Sequence, residues 1–257
     1  MNKTIKAAFA ATVLSAGLAA APAFAQEEPA SDLTITGSVA LTTEYRLRGI
    51  SQTDGDAAIQ GGITVAHSSG FYVSTWASNL AGNGTWGGSN MELDLIAGYS
   101  RAIGPVTLDG GFIYYAYPGV TGHDFYEIYG SASGAVGPVK AKLGAYWAPS
   151  QNSIRTGPSK GNNIWVYTDF ALPIEGTPLT LKAHGGYSSG DSIYTWGKDV
   201  IDYAAGVDIT FKVLTLNVSY VGTDLPRDFA NANFGAGSES GRSITRGKVV
   251  ATLTAAF

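Results

Sequence analysis

The chain has 257 residues, with 16 Lys and Arg against 20 Asp and Glu and a formal net charge of −4 at pH 7. That acidic balance excludes a nucleic-acid footprint and a polybasic membrane-surface anchor. Hydrophobic residues are 45% of the chain and charged ones 14%, cysteine is absent, and no window approaches the roughly 18 to 20 apolar residues of a membrane helix, so disulfide scaffolds and helical membrane proteins both drop out.

In chain order, the first element is an export signal. Lys3 and Lys6 precede an apolar stretch from Ala7 to Ala20, and Ala23-Phe24-Ala25 offers the small residues a signal peptidase accepts, so Met1 to Ala25 is read as a signal peptide. Without Lys3 and Lys6 the 16 basic residues become 14 against 20 acidic ones, a net of −6. Residues 26–257 then form one domain that is exported, has no disulfide, and needs another means of holding itself together.

The segment Leu33 to Arg48 supplies that means. Leu33, Ile35, Gly37, Val39, Leu41, Tyr45 and Leu47 alternate with Thr34, Thr36, Ser38, Thr42, Glu44, Arg46 and Arg48. A period of two puts one set on each face of a strand, apolar outward and polar inward. The pattern returns in Ala57 to Ala66, Phe71 to Ser78, Met91 to Ser100, Val106 to Tyr117, Phe125 to Ser133 and Val139 to Ala148. It continues in Ile164 to Leu172, Leu179 to Ser188, Val200 to Thr210, Val213 to Val221 and Ser243 to Phe257. The last segment carries Val249, Ala251, Leu253, Ala255 and the terminal Phe257 on its apolar face. Twelve segments, an even number, predict an all-β antiparallel up-and-down transmembrane barrel in the outer membrane, where barrel-assembly machinery and outer-membrane lipid are its partners.

The connections alternate in length. Short ones are 67–70, 101–105, 134–138, 173–178 and 211–212; longer or more polar ones are 49–56, 80–90, 118–124, 149–163, 189–199 and 222–242. Short turns are periplasmic in such barrels, which places both termini in the periplasm. The short turns recur at a nearly even interval, and Ile103-Gly104-Pro105-Val106 resembles Val136-Gly137-Pro138-Val139, as expected for a repeated hairpin unit. Outward aromatics sort to two rims: Tyr45, Tyr114, Tyr126, Trp147, Tyr187, Tyr203 and Tyr220 at the outer one, Phe71, Tyr99, Phe170 and Phe257 at the other. Interfacial belts of this kind suit a bilayer, whereas a soluble sandwich has no need of them.

The inward positions are the candidate functional ones. Closing the barrel sets the last strand beside the first, so Arg46, Arg48, Arg246 and Lys248 are expected to form a basic wall. Glu44, Glu92, Asp94, Glu127 and Asp202 are the acidic groups of the outer lumen, and Asp109, Asp169, Asp208, Lys140, Lys142 and Lys182 are also inward. Opposed signs across the lumen would set a transverse field that orders water and selects small charged solutes; the same groups could instead pair and stiffen the barrel. Tyr72, Trp76, Tyr115, Tyr117, Tyr129, Tyr146, Trp165 and Tyr167 line the outer half, either as a stacking track for ring-bearing solutes or as filling for a narrow lumen. Twelve strands lie between eight, which side chains fill, and sixteen to eighteen, which leave an aqueous channel.

The stretch from Glu44 to Thr53 (EYRLRGISQT), followed by Ala58-Ile59-Gln60-Gly61-Gly62, resembles the opening signature of the TorF family of porin-like proteins. So do Gly70 to Asn79 (GFYVSTWASN), Glu92 to Tyr99 (ELDLIAGY), Tyr114 to Gly119 (YYAYPG) and Phe125 to Tyr129 (FYEIY). The resemblance is specific from about Thr43 to Ser133. It implies an outer-membrane barrel with a pore role and supplies no site residues.

Enzyme chemistry finds little here. His67 falls in a short turn, His123 in a long loop and His184 within a strand, and no outward Ser lies near an outward His. Asp54, Asp56, His123 and Asp124 read as solvated loop groups, not as a catalytic set. With no Cys and dispersed His, no metal or other cofactor is expected. The sequence therefore predicts a channel for passive diffusion of small polar or charged solutes, with a plugged structural or adhesive barrel as the alternative and a barrel hydrolase behind it.

Overall fold

A computed structural model describes residues 32–82, 86–225 and 244–257; the predicted signal segment and most of the loop 222–242 lie outside these residues. In chain order the strands are β1 (Leu33–Thr42), β2 (Arg46–Leu47), β3 (Ile50–Ser51), β4 (Ala58–His67), β5 (Phe71–Asn79), β6 (Met91–Ile103) and β7 (Val106–Ala116). There follow β8 (Phe125–Val136), β9 (Val139–Gln151), β10 (Gly161–Pro173), β11 (Leu179–Ser189), β12 (Val200–Phe211), β13 (Leu214–Thr223) and β14 (Lys248–Ala256). All but β2 and β3 join one closed antiparallel barrel of twelve strands, each bonded to its sequence neighbour and β14 bonded back to β1. The all-β barrel expected from the alternation is therefore the fold.

Closure removes the sheet edges, which in a bilayer would leave backbone groups unpaired. At the seam Val39 pairs with Ala255 and Thr42 with Thr252. The last residue extends the ladder: Gly37 N–H donates to the Phe257 carbonyl at 2.7 Å and Phe257 N–H donates to the Gly37 carbonyl at 2.9 Å. The Phe257 ring lies over Gly37, where a Cβ would come within 2.8 Å of it.

Along each strand the alternation is realised as two faces. Ile35, Leu41, Ile59, Val73, Leu143 and Val249 are exposed on the outside, while Gln60, Ser74, Lys142 and Val250 are buried inside. Exposed Phe71, Phe170 and Phe257 lie toward the end with the short turns, and exposed Trp147, Tyr187, Tyr203 and Tyr220 toward the end with the long loops. In the matching turns, Gly104 and Gly137 have φ of 61° and 60°, the positive value that two-residue hairpin turns require.

The first strand is where structure and sequence part. The predicted Leu33–Arg48 strand ends at Thr42, which pairs on one side with Ala58 and on the other with Thr252. Beyond it the chain leaves the wall and turns into the lumen as the two-stranded hairpin β2–β3, with Arg46 opposite Ser51 and Leu47 opposite Ile50. Arg48 and Gly49 form its tip with φ of 49° and 77°. Every residue from Tyr45 to Thr53 is buried. The period-two pattern continues through the departure because a hairpin strand alternates like a wall strand.

Candidate functional site in the barrel lumen

The hairpin divides the lumen into two halves. Its base is tied to the surrounding loops, with Ser51 N–H donating to the Ile244 carbonyl at 2.9 Å and Ala81 N–H to the Gln52 carbonyl at 3.0 Å, and is closed on itself by Tyr45 N–H donating to Thr53 Oγ1 at 3.1 Å. Gly49 fits tightly against β13, since a Cβ there would sit 2.5 Å from the Gly222 carbonyl oxygen. Leu47 and Ile50 are buried with Tyr45, Ile154 and Val200, so the hairpin extends an apolar filling at the loop end.

Ion pairs hold the hairpin's charges, and their pattern corrects the expected basic wall. Arg46 Nη2 lies 2.8 Å from Glu44 Oε1, and Lys248 Nζ lies 3.6 Å from Glu44 Oε2. Arg48 points away from that side. Its Nη2 donates to both Glu127 carboxylate oxygens at 2.7 Å, on β8 at nearly the opposite side of the ring. Arg246 is exposed outside β14. The four basic groups are thus not brought onto one wall, because Arg46 and Arg48 ride on the hairpin instead of β1. Tyr45, expected outward, is 4% exposed inside; its hydroxyl donates to Glu92 Oε1 at 3.1 Å and its ring packs edge-on against Trp76 at 5.3 Å.

The expected acidic groups Glu92, Asp94, Glu127 and Asp202 do come together with the aromatics in the lumen, and Glu92, Asp94 and Glu127 are wholly buried. Buried charges are tolerated when paired and hydrogen-bonded. Glu127 also accepts from the Tyr115 hydroxyl at 2.9 Å, and Asp202 accepts from Trp165 Nε1 at 2.8 Å. Arg48 Cζ sits 4.8 Å from the Trp165 ring centroid and 4.6 Å from that of Tyr194, between two aromatic faces. Burial works against the Arg48 charge, but the Glu127 carboxylate outweighs it, so its pKa lies above the ordinary guanidinium value.

Tyr72, Tyr115, Tyr117, Tyr146, Trp165 and Tyr167 are buried inside, and Trp76 and Tyr129 half-buried. Four of them form a continuous run, with Tyr129 on Tyr146 at 5.2 Å, Tyr146 against Trp165 at 5.6 Å and Trp165 on Tyr167 at 4.5 Å, while Tyr115 and Tyr117 stack on Phe125. This stack packs the hairpin side on Trp165 and the polar half on Tyr129, whose hydroxyl meets that of Tyr72.

The turn-end half of the lumen is polar. The Tyr72 hydroxyl donates to Asp109 Oδ1 at 2.8 Å, Lys182 Nζ lies 3.6 Å from Asp208 Oδ2, and Asn217 Nδ2 donates to Asp208 Oδ1 at 2.6 Å. Asp109, Ser131, Ser133, Asp169 and Lys182 keep partial exposure there, and Lys140 is exposed. At the boundary His184 bridges two carboxylates, Nδ1 to Asp169 Oδ1 at 2.6 Å and Nε2 to Asp202 Oδ1 at 2.8 Å. The other histidines make local contacts, His67 with Ser69 and His123 with the Thr121 carbonyl.

Sequence reasoning missed Tyr194 and Ile154, which reach the lumen from loops, and the bridging role of His184. Loop burial leaves no periodic signal; the one sign of the hairpin is Gly49, which suits the second of two tip positions with positive φ, whereas Arg48 at the first does not announce a turn.

Comparisons place this geometry among known barrels. No curated protein matches. The NanC porin superposes with a TM-score of 0.57 at 12% identity, covering 87% of this chain and 99% of that one. A membrane protein from a study of in-meso crystallization gives 0.52 at 10% identity over 87% of this chain and 83% of its own. An outer-membrane channel from Pseudomonas putida F1 gives 0.46 at 9% identity, over 90% and 100%. The first two likenesses, at such low identity, speak to the barrel fold alone. A family profile described as a bacterial protein of unknown function, Gcw_chp, matches residues 26–257, and the chain therefore belongs to the Gcw_chp family.

Proposed function

We propose that this protein is an outer-membrane channel for passive diffusion of small polar or charged solutes, and that the inward hairpin β2–β3 closes it. The observation that carries the reading is the division of the lumen: a polar, partly exposed half at the turn end meets a hairpin held by ion pairs and aromatic stacking. Apolar side chains could fill a purely structural barrel at less desolvation cost than buried Glu44, Arg46, Arg48 and Glu127. A plug joined covalently to the wall only through the ends of β1 and β4 can move, on breaking its hydrogen bonds and ion pair, while every wall strand keeps both partners. The name of the NanC porin and the TorF resemblance of Glu44 to Thr53 support the same reading. Export by the signal segment, insertion by barrel-assembly machinery and a non-enzymatic role belong to this proposal.

Thr42 pairs directly with Ala58, so residues 45–53 can be replaced by a short turn without disturbing the ladder. In planar bilayers the shortened protein is expected to conduct at least about tenfold more than the intact one, with ion selectivity set by the released Glu92, Asp94 and Glu127. Equal conductance of the two would overturn the closure by the hairpin, and no conductance from either would overturn the channel.

A further inference from the structure

The surroundings of Arg48 make a recognition site in their own right. One carboxylate, Glu127, faces the guanidinium at 2.7 Å, and two aromatic faces, Trp165 and Tyr194, enclose it at 4.8 and 4.6 Å. Two of the three walls, Glu127 and Trp165, are fixed from behind. The Tyr115 hydroxyl holds Glu127 at 2.9 Å, and Asp202 holds the Trp165 indole at 2.8 Å while itself meeting His184. A carboxylate with ring faces on either side of a dry cavity is the chemistry that recognises compact organic cations, because ring quadrupoles attract positive charge without needing N–H donors.

Arg48 is an imperfect tenant of this cage. Its Nη2 carries both hydrogen bonds to Glu127, whereas Nε and Nη1 find no acceptor among the described residues. The residue is also presented from a left-handed backbone position, φ 49°, which side chains other than glycine seldom adopt. A cation with fewer N–H groups leaves no donor unpaired in the same space.

We propose that the cage of Glu127, Trp165 and Tyr194 is a binding site for small organic cations of the quaternary ammonium class, which Arg48 occupies in cis. Such a solute competes with Arg48 and so favours release of the hairpin; this consequence rests on the channel reading above, while the cage itself does not.

The test is an equilibrium titration of the refolded full-length barrel with tetramethylammonium, following tryptophan fluorescence and using Trp165→Phe to assign the signal. Arg48→Ala is expected to bind saturably and at least tenfold more tightly than the unsubstituted protein, and Arg48→Ala with Glu127→Gln to lose at least tenfold of that affinity. Arg48→Gln serves the same comparison if the alanine variant does not refold. Equal affinity with and without Arg48 would overturn its occupancy in cis; absence of saturable binding, or binding indifferent to Glu127, would overturn the cage. Because no permeation enters the readout, a barrel that binds but does not conduct separates this proposal from the channel.

Discussion

The two halves of the lumen are built from the same strands by the same alternation, yet they differ in kind. Toward the turn end, inward Asp109, Asp169 and Lys182 are half-buried. Toward the loop end, inward Glu92, Asp94 and Glu127 are wholly buried, because β2–β3 and the loop bearing Tyr194 occupy the space. The lesson is that strand number sets the width of a barrel, but what the loops do with that width decides whether it is a passage.

Substitutions should follow the same division. The largest effect is expected at Glu127: Glu127→Ala strands the Arg48 charge in a buried site, costing about 3–5 kcal/mol, whereas Arg48→Met with Glu127→Leu should cost much less because no charge remains unpaired. Denaturant unfolding in detergent checks this, and a double variant as unstable as the single one would break the account of the pair. Next comes Gly49→Ala, which places a Cβ against the Gly222 carbonyl at a positive φ and should cost roughly 1–2 kcal/mol in the same assay. Smallest is Lys140→Gln in the polar half, where an exposed side chain should change stability by less than about 0.5 kcal/mol. A large loss there would show that the turn-end half is as tightly organised as the other.

How legible this was follows from where each residue sits. The wall can be read directly because period-two alternation specifies the face of every residue, so the sequence pattern alone places Glu127, Trp165 and Tyr146 inward. That the last strand pairs with the first follows from closure, while the register that sets Phe257 on Gly37 comes from the structure. The hairpin could not be read the same way: Tyr45, Arg46, Leu47 and Arg48 alternate as faithfully as β1 does, and only their burial on both faces distinguishes them. Likewise Arg48–Glu127 joins residues 79 positions apart through a loop path that no local pattern encodes.

The central claim is that the hairpin seals the loop-end half and leaves the other half accessible. The chain has no cysteine, so single replacements are clean reporters. With a water-soluble thiol reagent acting on the refolded protein, Ser133→Cys in the polar half is expected to label rapidly. Ser78→Cys, whose serine is 1% exposed beside Gln60, is expected to stay protected until residues 45–53 are replaced by a short turn. Equal labelling of the two positions in the intact protein would contradict the account.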